Sequence, residues 1–233
     1  MNVYGIIVAA GKGARMGNSI PKQYLEFGGH PVLAHTLRAF DSSPLIDRIY
    51  LVIAESDFAF CRHSILLKSS LRTPVTLVSG GAERQDSVYN GIVAVDTPVD
   101  MVVIHDGVRP FIDAAMIAAC VLGAEETGAC ILGVPAADTL KQADASMRIT
   151  GTLSRKSVWL AQTPQAFTYD LIRQAHENAR EAALVETDDA ALVERLGHPV
   201  RIVPGARTNI KITTPDDLIM AEAIWAARKN LTT

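Results

Sequence analysis

Cysteine is scarce in this chain of 233 residues: there are three, Cys61, Cys120 and Cys130. An odd number at these spacings fits neither a disulfide framework nor a metal knuckle, so buried free thiols in a reducing, cytoplasmic compartment are expected. No apolar run reaches the roughly 18 residues that a membrane span needs. The apolar stretch from Met1 to Ala10 has no basic segment and leads into a glycine-rich basic loop, not a cleavage site. It is therefore expected to be a buried strand of a soluble protein. Positive charge is not in excess, because 22 Lys and Arg face 25 Asp and Glu for a net charge of −3. That balance disfavours a broad nucleic-acid or anionic-membrane surface. With 20% charged and 48% hydrophobic residues, intrinsic disorder is also disfavoured. Linkers, low-complexity tracts and internal repeats are missing too. The chain is long enough to bury a sizeable core without disulfides or a structural metal, and one domain over 1–233 is expected.

What is present is an alternation of short apolar runs with segments of helical period. Strands are predicted at Val3–Ala9, Ile49–Ala54, Pro74–Val78, Met101–Ile104, Cys130–Val134 and Val200–Val203. Helices are predicted at Val32–Phe40, Asp57–Lys68, Glu83–Val95, Asp113–Thr127, Asp170–Leu184, Asp188–Leu196 and Pro215–Lys229, with Pro31 and Asp113 as start signals. The pattern predicts an α/β fold, a mostly parallel sheet flanked by helices. Ligands of such sheets bind outside the carboxyl ends of the strands, which puts the loops 9–17, 79–87 and 105–110 on one rim. Residues 138–153 break the pattern with two short alternating stretches around Ala143-Asp144-Ala145-Ser146. They predict an antiparallel excursion whose apolar side chains have no core of their own. A β-arm at about 138–158 that packs on a partner subunit would explain them.

Four constellations carry chemistry. Ala9-Ala10-Gly11-Lys12-Gly13-Ala14-Arg15-Met16-Gly17, followed by Pro21-Lys22-Gln23-Tyr24, joins a glycine-rich turn to three cations, which suits a triphosphate. Met16 stands where a dinucleotide fingerprint needs its third glycine, and no Walker A pattern occurs. His105-Asp106-Gly107-Val108-Arg109-Pro110 puts a carboxylate at a strand end, where it can hold Mg²⁺ against phosphate oxygens or act as a turn residue. Arg109 can fix that loop by pairing with a carboxylate, and His105 reads as a packed or positioning residue. Gly80-Gly81-Ala82-Glu83-Arg84-Gln85-Asp86-Ser87 offers backbone groups and a hydroxyl to a base or ribose, or is an ordinary helix start. Asp138-Thr139, Arg155, Gln162-Thr163-Pro164-Gln165 and Asn209-Ile210-Lys211-Ile212-Thr213 are scattered; Arg155 and Lys211 suit an anionic second substrate or are surface charges. The remaining histidines form no ligand pattern.

Taken in order, Ala-Ala-Gly-x-Gly-x-Arg-Met-Gly, Pro-Lys-Gln-Tyr, Gly-Gly-x-x-Arg-x-Asp-Ser, His-Asp-x-x-Arg-Pro, Asp-Thr-Leu-Lys, Gln-Thr-Pro-Gln and Asn-Ile-Lys-Ile-Thr make the chain resemble the 2-C-methyl-D-erythritol 4-phosphate cytidylyltransferases of the non-mevalonate isoprenoid pathway, from about Val3 to the final helix. The opening loop alone is shared with many sugar-nucleotide transferases; the later motifs narrow the match. The resemblance implies a Rossmann-like nucleotidyltransferase fold and transfer of a cytidylyl group from CTP to the substrate phosphate, with release of pyrophosphate. It implies Mg²⁺ as cofactor and a homodimer with interlocking arms. Carried over by motif, Arg15, Lys22 and Lys211 would be catalytic, Lys211 also holding the substrate phosphate. Ala9, Ala10, Gly11, Gly13, Gly81, Ser87 and Asp106 would bind nucleotide. Asp106 would hold the metal, and Thr139, Arg155, Thr163, Arg109 and Thr187 would bind the second substrate. Ala82 replaces an Asp of some members, removing one polar nucleotide contact. A cytidylyltransferase for another polyol phosphate, such as ribitol 5-phosphate, shares several motifs, but Asp138-Thr139-Leu140-Lys141 and the segment 155–162 look more like the methylerythritol enzyme. A non-catalytic nucleotide-binding protein would be expected to lose Arg15, Lys22 or Asp106, and none is lost. The missing third glycine argues against a nicotinamide oxidoreductase.

Overall fold

The computed structural model describes residues 1–11 and 20–230. In chain order the strands are β1 (Val3–Val8), β2 (Glu26–Phe27), β3 (His30–Pro31), β4 (Arg48–Ile53), β5 (Val75–Ser79), β6 (Met101–Asp106), β7 (Ala129–Pro135), β8 (Lys141–Ala143), β9 (Ile149–Thr152), β10 (Trp159–Thr168) and β11 (Arg201–Pro204). The helices are α1 (Val32–Asp41), α2 (Phe58–Cys61), α3 (Leu67–Ser69), α4 (Arg84–Val93), α5 (Ala114–Thr127), α6 (Tyr169–Glu181), α7 (Asp189–Arg195) and α8 (Pro215–Asn230).

Seven strands form the main sheet in the order β11-β7-β10-β6-β1-β4-β5. Each neighbouring pair is parallel except the two made by β10, which runs antiparallel to both β6 and β7. The mostly parallel α/β sheet expected from the sequence is therefore what forms. Its period-two alternation divides the core. Val3, Ile7, Ile49, Leu51, Val103 and Leu132 face α1, α5 and the helical stretch containing α2 and α3. Tyr4, Ile6, Tyr50, Val52, Ile104 and Ile131 face α4, α6 and α7. Both faces being covered explains why β1, β4 and β6 read as continuous apolar runs. A third cluster, with Phe27, Val32, Phe111 and Ile212, seats α8 against the β2–β3 hairpin.

Helix ends follow local chemistry. The Asp113 carboxylate accepts the Met116 N–H at 2.8 Å, and Gly128 closes α5 at φ 82°. The Asp188 carboxylate caps α7 through the Ala191 N–H at 3.0 Å. Gly91 lets α4 sit close on the sheet, because a Cβ there would lie 2.5 Å from Ile6 Cγ2. Two expectations are adjusted. The helix predicted over Asp57–Lys68 is broken by a π-turn at Arg62–Leu66 between α2 and α3. The helix predicted to run to Leu184 ends at Glu181, with Ala183 in a left-handed turn at φ 50°. β8 and β9 pair only with each other, as an antiparallel hairpin off the main sheet. All three cysteines are free and buried. Among the described residues no helix is long and apolar enough to cross a membrane.

Candidate active site

A cavity of 590 Å³ opens at the carboxyl ends of β1, β5 and β6. The turn after β1 contributes Ala9, Ala10 and Gly11. The turn into α4 contributes Gly81, Ala82 and Glu83, followed on α4 by Arg84 and Ser87. Asp106 enters from the end of β6, Lys22 from the 3₁₀ turn after Pro21, and Lys211 from the loop before α8. The described parts of the three loops expected on one rim thus meet there, with cations arriving from chain positions almost 190 residues apart.

Close backbone approach shapes one wall. A Cβ on Gly80 would lie 2.3 Å from the Ala10 Cβ, so only glycine lets the two turns touch. The Ser87 hydroxyl is 3.0 Å from the Gly81 N–H that it accepts, and it donates to the Glu83 carbonyl at 3.1 Å. Ser87 is buried, so in this structure its hydroxyl holds the turn in shape.

Asp106 is the electrostatic centre. Its Oδ1 is 3.0 Å from Arg84 Nε; its Oδ2 is 2.7 Å from Lys211 Nζ and 3.8 Å from Arg109 Nε. Burial alone would raise its pKa, but the Arg84, Lys211 and Arg109 charges and the Lys211 hydrogen bond more than offset that, holding the carboxyl well below the usual range. Arg84 also reaches Asp189, Nη1 to Oδ2 at 2.9 Å, and His176 Nε2 is 3.1 Å from Asp189 Oδ1. Burial opposes ionisation of Asp189 as well; Arg84 and His176 outweigh it and lower its pKa. Gln165 on β10 anchors this corner, accepting the Asp189 and Ala190 N–H groups at 3.2 Å each and donating to Asp188 at 2.8 Å.

The structure brings Ala9, Ala10, Gly11, Lys22, Gly81, Ser87, Asp106 and Lys211 together around the cavity. Gly13 and Arg15 lie outside the described residues. Arg109, expected at the second substrate, packs behind Asp106 and donates from Nη1 to the Asn209 carbonyl at 2.8 Å. Thr163 is buried behind Asp106 as well. Thr139, Arg155 and Thr187 are exposed and do not line the cavity of the single chain; Arg155 donates to the Ala137 carbonyl at 2.7 Å. Sequence reasoning gave no role to Arg84, Asp189 or His176. Arg84 carried a signal as the arginine following a Gly-Gly turn. Asp189 lies 105 residues from Arg84, and no local pattern ties the two.

The Gly80-Gly81 turn, the clustered cations and the one buried carboxylate on the rim of a mostly parallel sheet are what a nucleotidyltransferase site requires. The particular family emerges from the likeness of the whole chain. Residues 3–227 match the family model IspD, 2-C-methyl-D-erythritol 4-phosphate cytidylyltransferase. The 2-C-methyl-D-erythritol 4-phosphate cytidylyltransferase of Geobacter metallireducens is 48% identical over 226 residues, covering 96% of this chain and 97% of that protein. The one from Syntrophus aciditrophicus is 50% identical over 221 residues, covering 95% and 94%. The crystal structure of 4-diphosphocytidyl-2C-methyl-D-erythritol synthase from Anaerococcus prevotii superposes with a TM-score of 0.86 at 34% identity, covering 97% of this chain and 96% of that one. The chain belongs to the 2-C-methyl-D-erythritol 4-phosphate cytidylyltransferase family.

Proposed function

We propose that this cavity transfers the cytidylyl group of CTP to the phosphate of 2-C-methyl-D-erythritol 4-phosphate, releasing pyrophosphate and forming 4-diphosphocytidyl-2-C-methyl-D-erythritol. The observation that carries the reading is the meeting of Lys22, Lys211 and Asp106 beside the glycine turns of a cavity large enough for a nucleotide. The attacking group is itself a phosphate anion, so no strong general base is required. The barrier lies in bringing two anions together in line. Lys22 and Lys211 supply fixed positive charge where negative charge builds up on the α-phosphorus and on the leaving pyrophosphate. Arg84 and Arg109 keep Asp106 ionised and oriented. Arg15, in the loop after β1, is assigned the same task as Lys22 on its sequence motif. The turn walls around Gly81 receive the base.

Magnesium suits this donor set. Mg²⁺ is usually held by one or two carboxylates together with substrate phosphates, not by a cage built from protein alone. Asp106 is an ionised carboxylate on the cavity wall, and the described residues contain no group of three or more His, Cys, Asp or Glu that could hold an ion. Asp106 would hold the ion, which when bound neutralises phosphate oxygens.

A homodimer joined through the arm at 138–158 belongs to the same proposal. Met147 is 86% exposed and Ile149 65%, and Leu153 is exposed too, so the hairpin leaves an apolar face uncovered in one chain. A second copy covering it would also explain why Thr139 and Arg155 stand away from their own cavity. The three free thiols favour a reducing, cytoplasmic setting. Incubation with CTP, Mg²⁺ and 2-C-methyl-D-erythritol 4-phosphate or ribitol 5-phosphate, following pyrophosphate, tests the reading. Release with the methylerythritol substrate is expected; release only with ribitol 5-phosphate, or with neither, rejects it.

A further inference from the structure

Behind Asp106 lies a closed ring of buried hydrogen bonds. The β6–β10 ladder ends at the Ile104–Gln165 pair, and the register of β10 shifts between Gln162 and Gln165. The Asp106 N–H is left to the Thr163 hydroxyl, to which it donates at 3.1 Å. That hydroxyl is 3.0 Å from His105 Nδ1, and His105 Nε2 is 3.1 Å from the Arg109 carbonyl oxygen. The Arg109 N–H donates to the Asp106 carbonyl at 3.0 Å, which closes the ring. His105 and Thr163 are both buried.

Chemistry fixes the direction of each bond. A carbonyl oxygen only accepts, so His105 Nε2 carries a proton. Of the two partners of the buried Thr163 hydroxyl, the Asp106 N–H can only donate, which leaves Nδ1 as the acceptor for the hydroxyl proton and therefore without a proton of its own. The Thr163 hydroxyl must then donate to Nδ1, and its oxygen is left to accept the Asp106 N–H. Valine at 163 would strand a buried donor and a buried acceptor, whereas serine would keep both bonds.

We propose that Thr163 and His105 are positioning residues for Asp106: the Arg109 carbonyl selects the His105 tautomer, the tautomer orients the Thr163 hydroxyl, and the hydroxyl fixes the Asp106 backbone at the end of β6. Thr163 acts on the nucleotide side of the site through Asp106 and does not contact the polyol phosphate. The inference rests on the reading that Asp106 faces the triphosphate.

The test combines kinetics of the purified full chain with ¹⁵N spectroscopy of its histidines. Thr163→Val is expected to lower kcat/KM for CTP by about 10- to 100-fold, as for other groups that orient a ligand-bearing carboxylate. The KM for the polyol phosphate stays within about twofold of wild type, since no contact with that substrate is removed. Thr163→Ser is expected to remain within about threefold of wild type, because its hydroxyl keeps both bonds. In the wild type the His105 proton is expected on Nε2. A rise confined to the polyol-phosphate KM, a serine variant as impaired as the valine one, a wild-type-like Thr163→Val, or a proton on Nδ1 would each overturn the proposal. If Thr163→Val does not fold, the serine variant and the tautomer decide. Absence of pyrophosphate release by the wild type would reject the activity itself and leave the tautomer measurement standing.

Discussion

At the scale of single residues, one buried carboxylate organises four cationic and polar partners. Asp106 bonds Arg84 and Lys211 through different oxygens, lies near Arg109, and is held by Thr163 through its backbone. Lys22→Ala and Lys211→Ala should each lower kcat by about 10²–10³, the usual loss when one group that stabilises transition-state charge is removed. Lys22→Ala should keep a thermal unfolding close to wild type, since its side chain sits at the cavity rim, whereas Lys211→Ala should lower the melting temperature because it takes an ion-pair partner from buried Asp106. Asp189 makes a different prediction. Its pKa is lowered in the fold, so the stability it adds is present above the unfolded value of about 4 and disappears as pH falls through that range toward the folded value. Asp189→Asn should cost on the order of 3–5 kcal/mol at pH 7, as breaking a buried pair does. Between pH 5 and pH 3 it should lose less stability than wild type, as measured by chemical denaturation at each pH. The place of Lys22 and Asp106 on the cavity was legible in the sequence because each sits in a short motif beside a strand or turn, whereas Lys211 read equally as a surface charge and was singled out only by the family resemblance. Asp189 and His176 were not legible, because their partnership with Arg84 exists only after α4, α6 and α7 pack on one face of the sheet.

At the scale of elements, periodicity carried most of the fold. Continuous apolar runs marked β1, β4 and β6, and the Asp113 cap marked the start of α5, because both signals are local. The π-turn between α2 and α3 was not legible, since residues 57–68 keep an unbroken helical composition while the backbone widens by one residue. The short β2–β3 hairpin was missed for a related reason: each strand has two residues, too few to show a period. Packing distance between α4 and the sheet makes a direct test. Gly91→Ala would gain about 1 kcal/mol of helix propensity in isolation. Here the new methyl would meet Ile6 and Val52, and overpacking of this kind costs about 1–3 kcal/mol. A lower melting temperature than wild type is expected, together with weaker CTP binding, because α4 carries the turn that shapes the nucleotide wall.

At the scale of the whole molecule, the site and the arm share one strand. β10 begins at Trp159, directly after the arm, and passes Gln162, Thr163 and Gln165 behind the cavity. Replacing Met147 and Ile149 with Ser should shift the proposed dimer toward monomer in sedimentation velocity and lower activity at dilute enzyme. An unchanged sedimentation coefficient would show that the arm is not the contact. The placement of β10 also bears on how the protein is made. β6 and β7 are both translated before it, yet they meet only through it. For the roughly 60 residues between Asp106 and Thr168, a nascent chain carries β6 as a bare edge, the kind of strand that invites pairing with another chain. The strand that ends in Asp106 therefore keeps one edge open on the ribosome until the segment behind the active site slides in between it and β7.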